Sequence, residues 1–242
     1  MIITNTLQKI LKKFGLKIGK FPEPDKKRRL KIMRNFQINK VLDVGANTGS
    51  YGKELREMGY EGEIISFEPT DLAYSFLEKK CAKDSKWNCI QLALGDIDRT
   101  AHINISLNSK SSSLLEILPL SIENAPDSKF VGKEKVQVKA LDQMQDELLS
   151  PGDHLMLKID TQGYEKNILE GGRAILEKVK VVQLELSFEP LYRNEPTFFE
   201  MISYMEELGF EIFSLETDLS FSNPKNGKML QVDCIFCKSS EN

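Results

Sequence analysis

Long apolar runs are missing from this sequence: no stretch approaches the roughly 20 consecutive apolar residues of a membrane-spanning helix. The N-terminus also lacks the continuous apolar core and small-residue cleavage site of a secretory signal peptide. We therefore expect a cytoplasmic protein. Its 242 residues, 40% hydrophobic and 29% charged, suffice for one globular domain with a substantial core.

Histidine and cysteine are scarce, with two and four residues respectively. Cys234 and Cys237 have the spacing of half a zinc site, but they fall in a strand-like run, where residues three apart face opposite sides. No second pair completes a ligand set, so we predict free thiols and no metal. His154 begins a predicted strand and His102 lies in an additional one, which argues against a histidine general base.

Positive charge is concentrated at the N-terminus. Residues 1–40 hold 12 Lys and Arg and two acidic residues, a net charge of +10, whereas the other 202 residues hold 21 basic and 34 acidic residues, a net charge of −13. An acidic body is a poor surface for nucleic acid, so we expect no nucleic-acid partner.

The basic segment 1–37 is predicted to be a helical arm, followed by one domain over 38–242. Apolar residues recur at helical spacing between the lysines of residues 1–20, and 26–36 is predicted as a second, very basic helix. One interpretation is that the arm binds an anionic membrane, which would place the protein peripherally at the inner membrane surface. The other is that its apolar face packs on the domain. The oligomeric state is also open.

Strand-like and helix-like segments alternate through the rest of the chain, which predicts an α/β fold. We expect a mostly parallel sheet, helices on both of its faces and a C-terminal antiparallel hairpin. The predicted strands after the first are 63–67, 87–94, 100–107, 135–139, 154–160, 180–187, 210–215 and 229–237.

The strongest local signal is the run 41–50, which predicts a buried strand, a glycine turn and the start of a helix. Its pattern is Asp43-x-Gly45-x-Asn47-x-Gly49, which differs from the G-x-G-x-x-G of a dinucleotide fold. An acidic turn favours a ligand with a cationic end over one with phosphates. S-adenosyl-L-methionine (SAM), which carries an ammonium and a sulfonium, fits this turn better than NAD. An ordinary strand-to-helix turn without a ligand is the alternative.

Carboxylates follow the next predicted strands, at the edge of the sheet where ligands bind in such folds. Glu68 is placed to accept hydrogen bonds from both ribose hydroxyls, and Asp96 to accept one from an adenine amino group. For each of them, the alternative role is a helix cap or a surface acid.

Asp160 ends the strand 154–160 and is the best-placed base. Lys158 in the same strand needs a partner if it is buried. Glu185 in the neighbouring strand could supply it, either as a structural pair or as part of an acceptor pocket.

Together these residues resemble the FkbM family of SAM-dependent methyltransferases. The resemblance covers 38–238 and implies a class I SAM-methyltransferase (Rossmann-like) fold with a seven-stranded sheet. It also implies methyl transfer to a hydroxyl, with acceptors that are commonly sugars, glycan components or polyketide-derived products. The motifs that carry it are 41–49, 67–69, 94–96, 111–114, 141–142 and, most specifically, 158–165.

We therefore predict a SAM-dependent O-methyltransferase for a sugar, glycan or glycolipid-type hydroxyl. Asp160 is the first choice for general base, with Glu185 and Glu189 in reserve. A divalent ion held by Asp160 and one of these glutamates is the alternative to a metal-free site. The rival functions are O-methylation of a polyketide or other small natural product, and a non-catalytic SAM-fold module in a biosynthetic complex.

Overall fold

A central sheet organises the part of the chain that the computed structural model describes, which is residue 11 and residues 22–239. The strands are β1 (Lys40–Val44), β2 (Glu63–Phe67), β3 (Trp87–Ile90), β4 (Ala93–Gly95), β5 (Arg99–Ser106), β6 (Phe130–Ala140), β7 (Leu155–Ile159), β8 (Val179–Ser187), β9 (Phe210–Ser222) and β10 (Met229–Lys238). Seven of these form the central sheet in the order β3-β2-β1-β7-β8-β10-β9. The first five in that order are parallel, and β9 and β10 form the antiparallel hairpin that the sequence predicts.

Helices cover both faces of this sheet, as predicted. The helices are α1 (Pro24–Asn35), α2 (Ser50–Glu57), α3 (Asp71–Cys81), α4 (Pro119–Asn124), α5 (Gln145–Leu148), α6 (Glu165–Glu170), α7 (Arg173–Leu176) and α8 (Phe198–Glu207), with 3₁₀ turns at Pro126–Ser128 and Leu141–Met144. Alternate strand residues enter different apolar layers: Leu42 and Leu157 pack with α6–α8, whereas Val41 and Met156 pack with α1–α3. None of the described helices is long and apolar enough to cross a membrane.

The prediction of one strand over 87–94 is wrong. The central strand β3 stops at Ile90, and β4 belongs to a second sheet of order β4-β6-β5. The partner of β4 is β6, more than 40 residues further along the chain, and local patterning cannot reveal such a pairing. As a result, Asp96 follows a strand of the small sheet and not the third strand of the central one.

The helical segment that follows β7 is divided into α6 and α7 at Gly171 and Gly172. A Cβ atom at Gly171 would lie 2.0 Å from the carbonyl oxygen of Gly95. The close approach of these two backbone segments therefore requires glycine, and it interrupts the helix.

Helix α1, which belongs to the predicted arm 1–37, packs on the domain that follows it. Leu30 and Met33 are buried, and Asp25 accepts a hydrogen bond of 2.8 Å from the backbone N–H of Thr217 in β9. The packed interpretation of the arm is therefore confirmed for α1. The amphipathic segment 1–20 lies outside the described residues except for Leu11, and its membrane contact stays a prediction.

The four cysteines are free, as predicted. Cys234 belongs to the apolar layer with α6–α8, and Cys237 belongs to the layer with α1–α3. The two thiols therefore face opposite sides of the sheet.

Gly45 joins the ends of β1 and β7. The backbone N–H of Asp160 donates to the carbonyl oxygen of Val44 at 3.1 Å, which brings the two chain segments together. Gly45 has φ of +76°, and a Cβ atom there would lie 1.9 Å from the carbonyl oxygen of Asp160. Glycine is required at this position for both its backbone conformation and its lack of a side chain.

We expect Gly45→Ala to lower the free energy of unfolding much more than the control Gly152→Ala. Gly152 has φ of +90° but no heavy atom within 4 Å of a built Cβ, so alanine there adds only backbone strain of about 1–3 kcal/mol. At Gly45 the steric overlap adds to that strain and forces β1 and β7 apart. Urea denaturation measures both losses, and equal losses would contradict the role assigned to this contact.

Candidate active site

Two cavities meet at the glycine turn. The β2-side cavity is lined by Gly45, Asn47, Glu68, Leu92, Leu94 and Asp160, among others. The β8-side cavity, of about 310 Å³, is lined by Arg29, Tyr51, Lys158, Gln183, Glu185 and Asp233, together with residues of the turn. Gly45, Asn47, Lys110 and Asp160 border both cavities, so a group at the turn is accessible from either side.

Glu68 is buried at the end of β2 and holds the glycine turn in place. Its Oε2 accepts from the backbone N–H of Asn47 at 2.9 Å, and its Oε1 accepts from the N–H and Oγ1 of Thr70 at 2.9 and 2.5 Å. Burial raises the pKa of this carboxyl. A carboxylate has about four lone-pair positions, and three are used here. Glu68 therefore has one left for a ligand in the β2-side cavity, and not the two that both ribose hydroxyls would require.

The loop between β5 and α4 covers the turn. The Nδ2 of Asn47 lies 3.3 Å from both the carbonyl oxygen and the Oγ of Ser109. Further along the loop, the Oγ of Ser113 donates to the carbonyl oxygen of Gln162 at 2.8 Å. Ser113 belongs to the sequence motif 111–114, but its contact depends on where β5 and β7 lie in the fold.

The prediction that Glu185 in β8 could pair with Lys158 is wrong. The ion-pair partners of Lys158 are Asp43 in β1 and Asp160, which follows β7. The Nζ of Lys158 lies 3.2 Å from Oδ1 of Asp43 and 3.5 Å from Oδ2 of Asp160. Burial alone would lower the pKa of Lys158, but these two carboxylates outweigh burial and raise it above its ordinary value.

Asp43 is fully buried, and its Oδ2 accepts from the Oγ of Ser66 at 3.0 Å. Its charge is thus balanced inside the protein by Lys158. It is not among the residues lining either cavity. Direct contact of Asp43 with a cofactor stays a prediction, whereas its ion pair with Lys158 is seen in the structure.

Asp160 lies at the junction of the two cavities, with 36% of its side chain exposed. Its Oδ1 accepts from the Nε2 of Gln162 at 2.9 Å, while Oδ2 faces Lys158. The same Nε2 donates to Oε2 of Glu185 at 2.7 Å. Gln162, to which the sequence assigned no role, therefore links the two predicted catalytic carboxyls.

Glu185 differs from Asp160 in its surroundings. It accepts from Gln162 and from the Nε2 of Gln231, the latter at 3.1 Å. Burial, followed by the charges of Asp160 and Asp233, raises the pKa of Glu185 well above its ordinary value. Burial likewise raises the pKa of Asp233 to about 6. These shifts favour the neutral form of Glu185, which makes it a hydrogen-bonding group more than a base.

Besides Asp43, three predicted site residues line neither cavity: Gly49, Glu189 and Asp96. Gly49 is the N-cap of α2, with φ of +76°. Glu189 is partly exposed and forms an ion pair with Lys228. Asp96 is bound by the Nη1 of Arg99 at 2.9 Å and the hydroxyl of Tyr164 at 3.1 Å, and it too is absent from both linings. The reason for the displacement of Asp96 is the break between β3 and β4, which leaves residues 92–94 to line the β2-side cavity in its place.

Within residues 22–239, no group of three His, Cys, Asp or Glu residues has the arrangement of a metal site.

Glu165, at the start of α6, fixes the loop that carries Asp160. Its Oε1 accepts from the N–H and Oγ1 of Thr161 at 2.8 and 3.1 Å, and only 4% of the residue is exposed. Burial, together with the nearby charge of Glu195, raises the pKa of Glu165 to about 8. The last position of the motif 158–165 thus has a positioning function that its spacing alone does not reveal.

The sheet order and the acidic glycine turn after β1 are those expected of the class I SAM-methyltransferase fold. A family model described as "Methyltransferase FkbM domain" matches residues 43–212, so the chain belongs to the FkbM methyltransferase family.

Among individual relatives, the 2-O-methyltransferase NoeI of Sinorhizobium fredii (strain NBRC 101917 / NGR234) is 23% identical over 164 residues, which cover 64% of this chain and 66% of NoeI. The crystal structure of methyltransferase FkbM from Methylobacillus flagellatus KT is 14% identical, with a TM-score of 0.49, and the match covers 81% of this chain and 43% of that one. Sp1610 of Streptococcus pneumoniae, in complex with SAM, is 14% identical, with a TM-score of 0.45 and coverage of 89% and 74%.

Membership of the FkbM methyltransferase family makes SAM the cofactor. The β2-side cavity fits it chemically. Glu68 keeps one lone pair for a hydroxyl, and Leu92 and Leu94 supply an apolar wall for a base.

We expect the stability of the protein to depend on pH through Glu165. Its pKa is raised from 4.5 to about 8 on folding, so its contribution to stability is fully present below about pH 4.5 and is lost as the pH rises through about 8. Glu165→Gln keeps the acceptor for Thr161 but cannot ionise. The unfolding free energy of wild type minus variant should fall by up to roughly 1.4 kcal/mol per pH unit in this range. Urea titrations at several pH values measure it, and a pH-independent difference would contradict the assignment.

Proposed function

We propose that this protein transfers a methyl group from SAM to a hydroxyl of a sugar, glycan or glycolipid-type acceptor that lies in the β8-side cavity. The observation that carries the proposal is the position of Asp160, whose carboxylate borders both cavities. A base at that junction can reach an acceptor on one side while the cofactor lies on the other.

The lining of the β8-side cavity supports a polyhydroxylated acceptor. Its polar groups include the carboxyls of Glu185 and Asp233 and the amides of Gln162 and Gln183, which together offer hydrogen-bond donors and acceptors. The one aromatic residue in this lining is Tyr51, and the cations of Arg29 and Lys158 lie 5.1 and 5.2 Å from its ring centroid. With cations so close to the ring, the cavity favours a sugar over a flat aromatic product.

SAM would supply a methyl group on a sulfonium. In an in-line displacement, the acceptor oxygen bonds to the methyl carbon as the bond between that carbon and sulfur breaks, and the sulfur leaves as a neutral thioether. An acceptor hydroxyl is too weak an acid to ionise alone at neutral pH, so Asp160 accepts its proton as the oxygen attacks. Lys158 and Gln162 orient the two oxygens of this carboxylate. The name of NoeI, a 2-O-methyltransferase, is consistent with oxygen as the atom that is methylated.

We expect Asp160→Asn to lower kcat by about 10²–10⁴-fold, because the amide keeps the shape but cannot accept the proton. The dissociation constant of SAM should change much less than kcat. Activity is measured as transfer of labelled methyl from SAM to a panel of methyl glycosides and oligosaccharides. The control Glu189→Gln neutralises a partly exposed carboxylate outside both cavities and should leave kcat unchanged.

If Asp160→Asn turns over near the wild-type rate while chemistry is rate-limiting, Asp160 is not the base. Wild-type activity should also survive a chelator. Its loss, restored by a divalent ion, would favour the metal-assisted alternative.

We expect Glu68→Ala to weaken SAM binding by about one to two orders of magnitude, since a hydrogen bond to a charged acceptor is worth roughly 1.5–3 kcal/mol. Calorimetric titration with SAM measures this. Thr70→Val is the control, because it removes a hydrogen bond to Glu68 without altering a residue that lines the β2-side cavity. Unchanged affinity in a folded Glu68→Ala protein would remove the cofactor role from Glu68.

A further inference from the structure

The helix that precedes the family's domain contributes to this site. We propose that Arg29 of α1 is a positioning residue for methyl transfer, which holds Tyr51 in place and, through Tyr51, the ammonium of Lys158 and the carboxylate of Asp160. The kinetic part of this inference rests on the proposed function. The structural part does not.

Arg29 is anchored more firmly than a surface arginine. Only 2% of it is exposed. Its Nε and Nη2 donate to the carboxylate of Glu216 at 3.0 and 2.6 Å, and its Nη1 donates to Glu54 at 2.9 Å. Two carboxylates on a planar guanidinium leave it little freedom, so its position is set by β9 on one side and α2 on the other.

Tyr51 transmits this position to the site. The Cζ of Arg29 lies 5.1 Å from the Tyr51 ring centroid, and the Nζ of Lys158 lies 5.2 Å from the same centroid. The hydroxyl of Tyr51 donates to Oε1 of Gln183 in β8 at 2.8 Å, which fixes the far end of the ring. A cation near an aromatic ring is attracted to its face, so both cations hold Tyr51 and Tyr51 limits where Lys158 can move.

Lys158 in turn determines the environment of Asp160. Its Nζ has Asp43 on one side, at 3.2 Å, and Asp160 on the other, at 3.5 Å. If Tyr51 gains freedom, Lys158 can withdraw from Asp160, and the carboxylate loses one of the two contacts that orient it. A displacement of this kind near reacting atoms lowers the rate without removing any reacting group.

The structure supplies a matched control in the neighbouring residue. Arg28 also joins α1 to β9, through Ser214 Oγ at 2.9 Å and the carbonyl oxygen of Leu215 at 3.1 Å, but it lines neither of the two cavities. Arg28→Met therefore also loosens α1 from β9, through contacts that are more exposed than those of Arg29, while Arg29→Met in addition frees Tyr51. Arg29 and Glu216 both lie outside the matched range 43–212, so the family match assigns them no role.

The first measurement needs no acceptor. Hydrogen–deuterium exchange is followed by mass spectrometry in wild type, Arg29→Met and Arg28→Met, each saturated with SAM. We expect Arg29→Met to speed exchange in the peptides around Tyr51 and 158–163, and Arg28→Met to leave them as in wild type. If exchange in 158–163 is the same in Arg29→Met and wild type, or changes equally in both variants, the relay does not exist and the proposal fails.

The second measurement is a kinetic double-mutant cycle with the acceptor identified in the glycoside panel. We expect Arg29→Met to lower kcat about 10–100-fold with the SAM dissociation constant changed less than about threefold. In the background of Tyr51→Leu, Arg29→Met should cause no further loss, because the two residues act in series. Independent, multiplying losses would overturn the relay through Tyr51.

Folding is monitored by thermal unfolding. If Arg29→Met does not fold, Arg29→Lys replaces it in both measurements, since lysine keeps a cation beside Tyr51 but cannot form the bidentate pair with Glu216. Arg29→Lys should show the same local exchange change in a milder form. An absence of any methylated glycoside would refute the proposed acceptor class, whereas the exchange result would still decide the role of Arg29.

Discussion

The ion pair between Asp43 and Lys158 is the interaction on which the rest of the site depends. Both residues lie on the sheet face that carries α1–α3, in adjacent strands and directly opposite each other in register. Removing two charges from water is costly, and a single partner left behind is costlier still, so neither can be replaced alone without a large loss of stability. Ser66 and Gln183 extend the same row into β2 and β8. This sheet face thus carries a continuous polar row of four residues in four adjacent strands.

This row explains how charge is distributed at the junction of the cavities. Lys158 balances Asp43 inside the protein and remains within reach of Asp160, which is partly exposed. In the described part of the chain, Glu185 and Asp233 form no ion pair within 4 Å, and burial raises the pKa of both. The carboxyls around the cavities therefore differ in their surroundings. Asp160 is partly exposed beside Lys158, whereas Glu185 is held by the side-chain amides of Gln162 and Gln231 in the cavity wall.

Helix α1 borders the site and is held there by a strand from the other end of the described chain. Arg29 of α1 lines the β8-side cavity and pairs with Glu216 of β9, which is 187 residues further along. The part of the predicted arm that forms α1 is therefore packed on the domain and borders the β8-side cavity. Its positive charge is partly used inside the protein, by Glu54 and Glu216, and is not wholly available to a membrane surface.

Features that depend on local pattern were predictable from the sequence. Alternating segments predicted the parallel sheet, glycines in an acidic context predicted the turn, and strand ends predicted that Glu68 and Asp160 would lie near each other. Features that depend on register and distant pairing were decided only by the tertiary structure. One is the pairing of β4 with β6, which places Asp96 outside both cavities. Another is the register of β1 with β7, which sets Asp43 opposite Lys158 and allows the two to form an ion pair. The physical reason is that a side chain's partner is set by which strands adjoin and in what register, and a single strand's sequence does not contain that information.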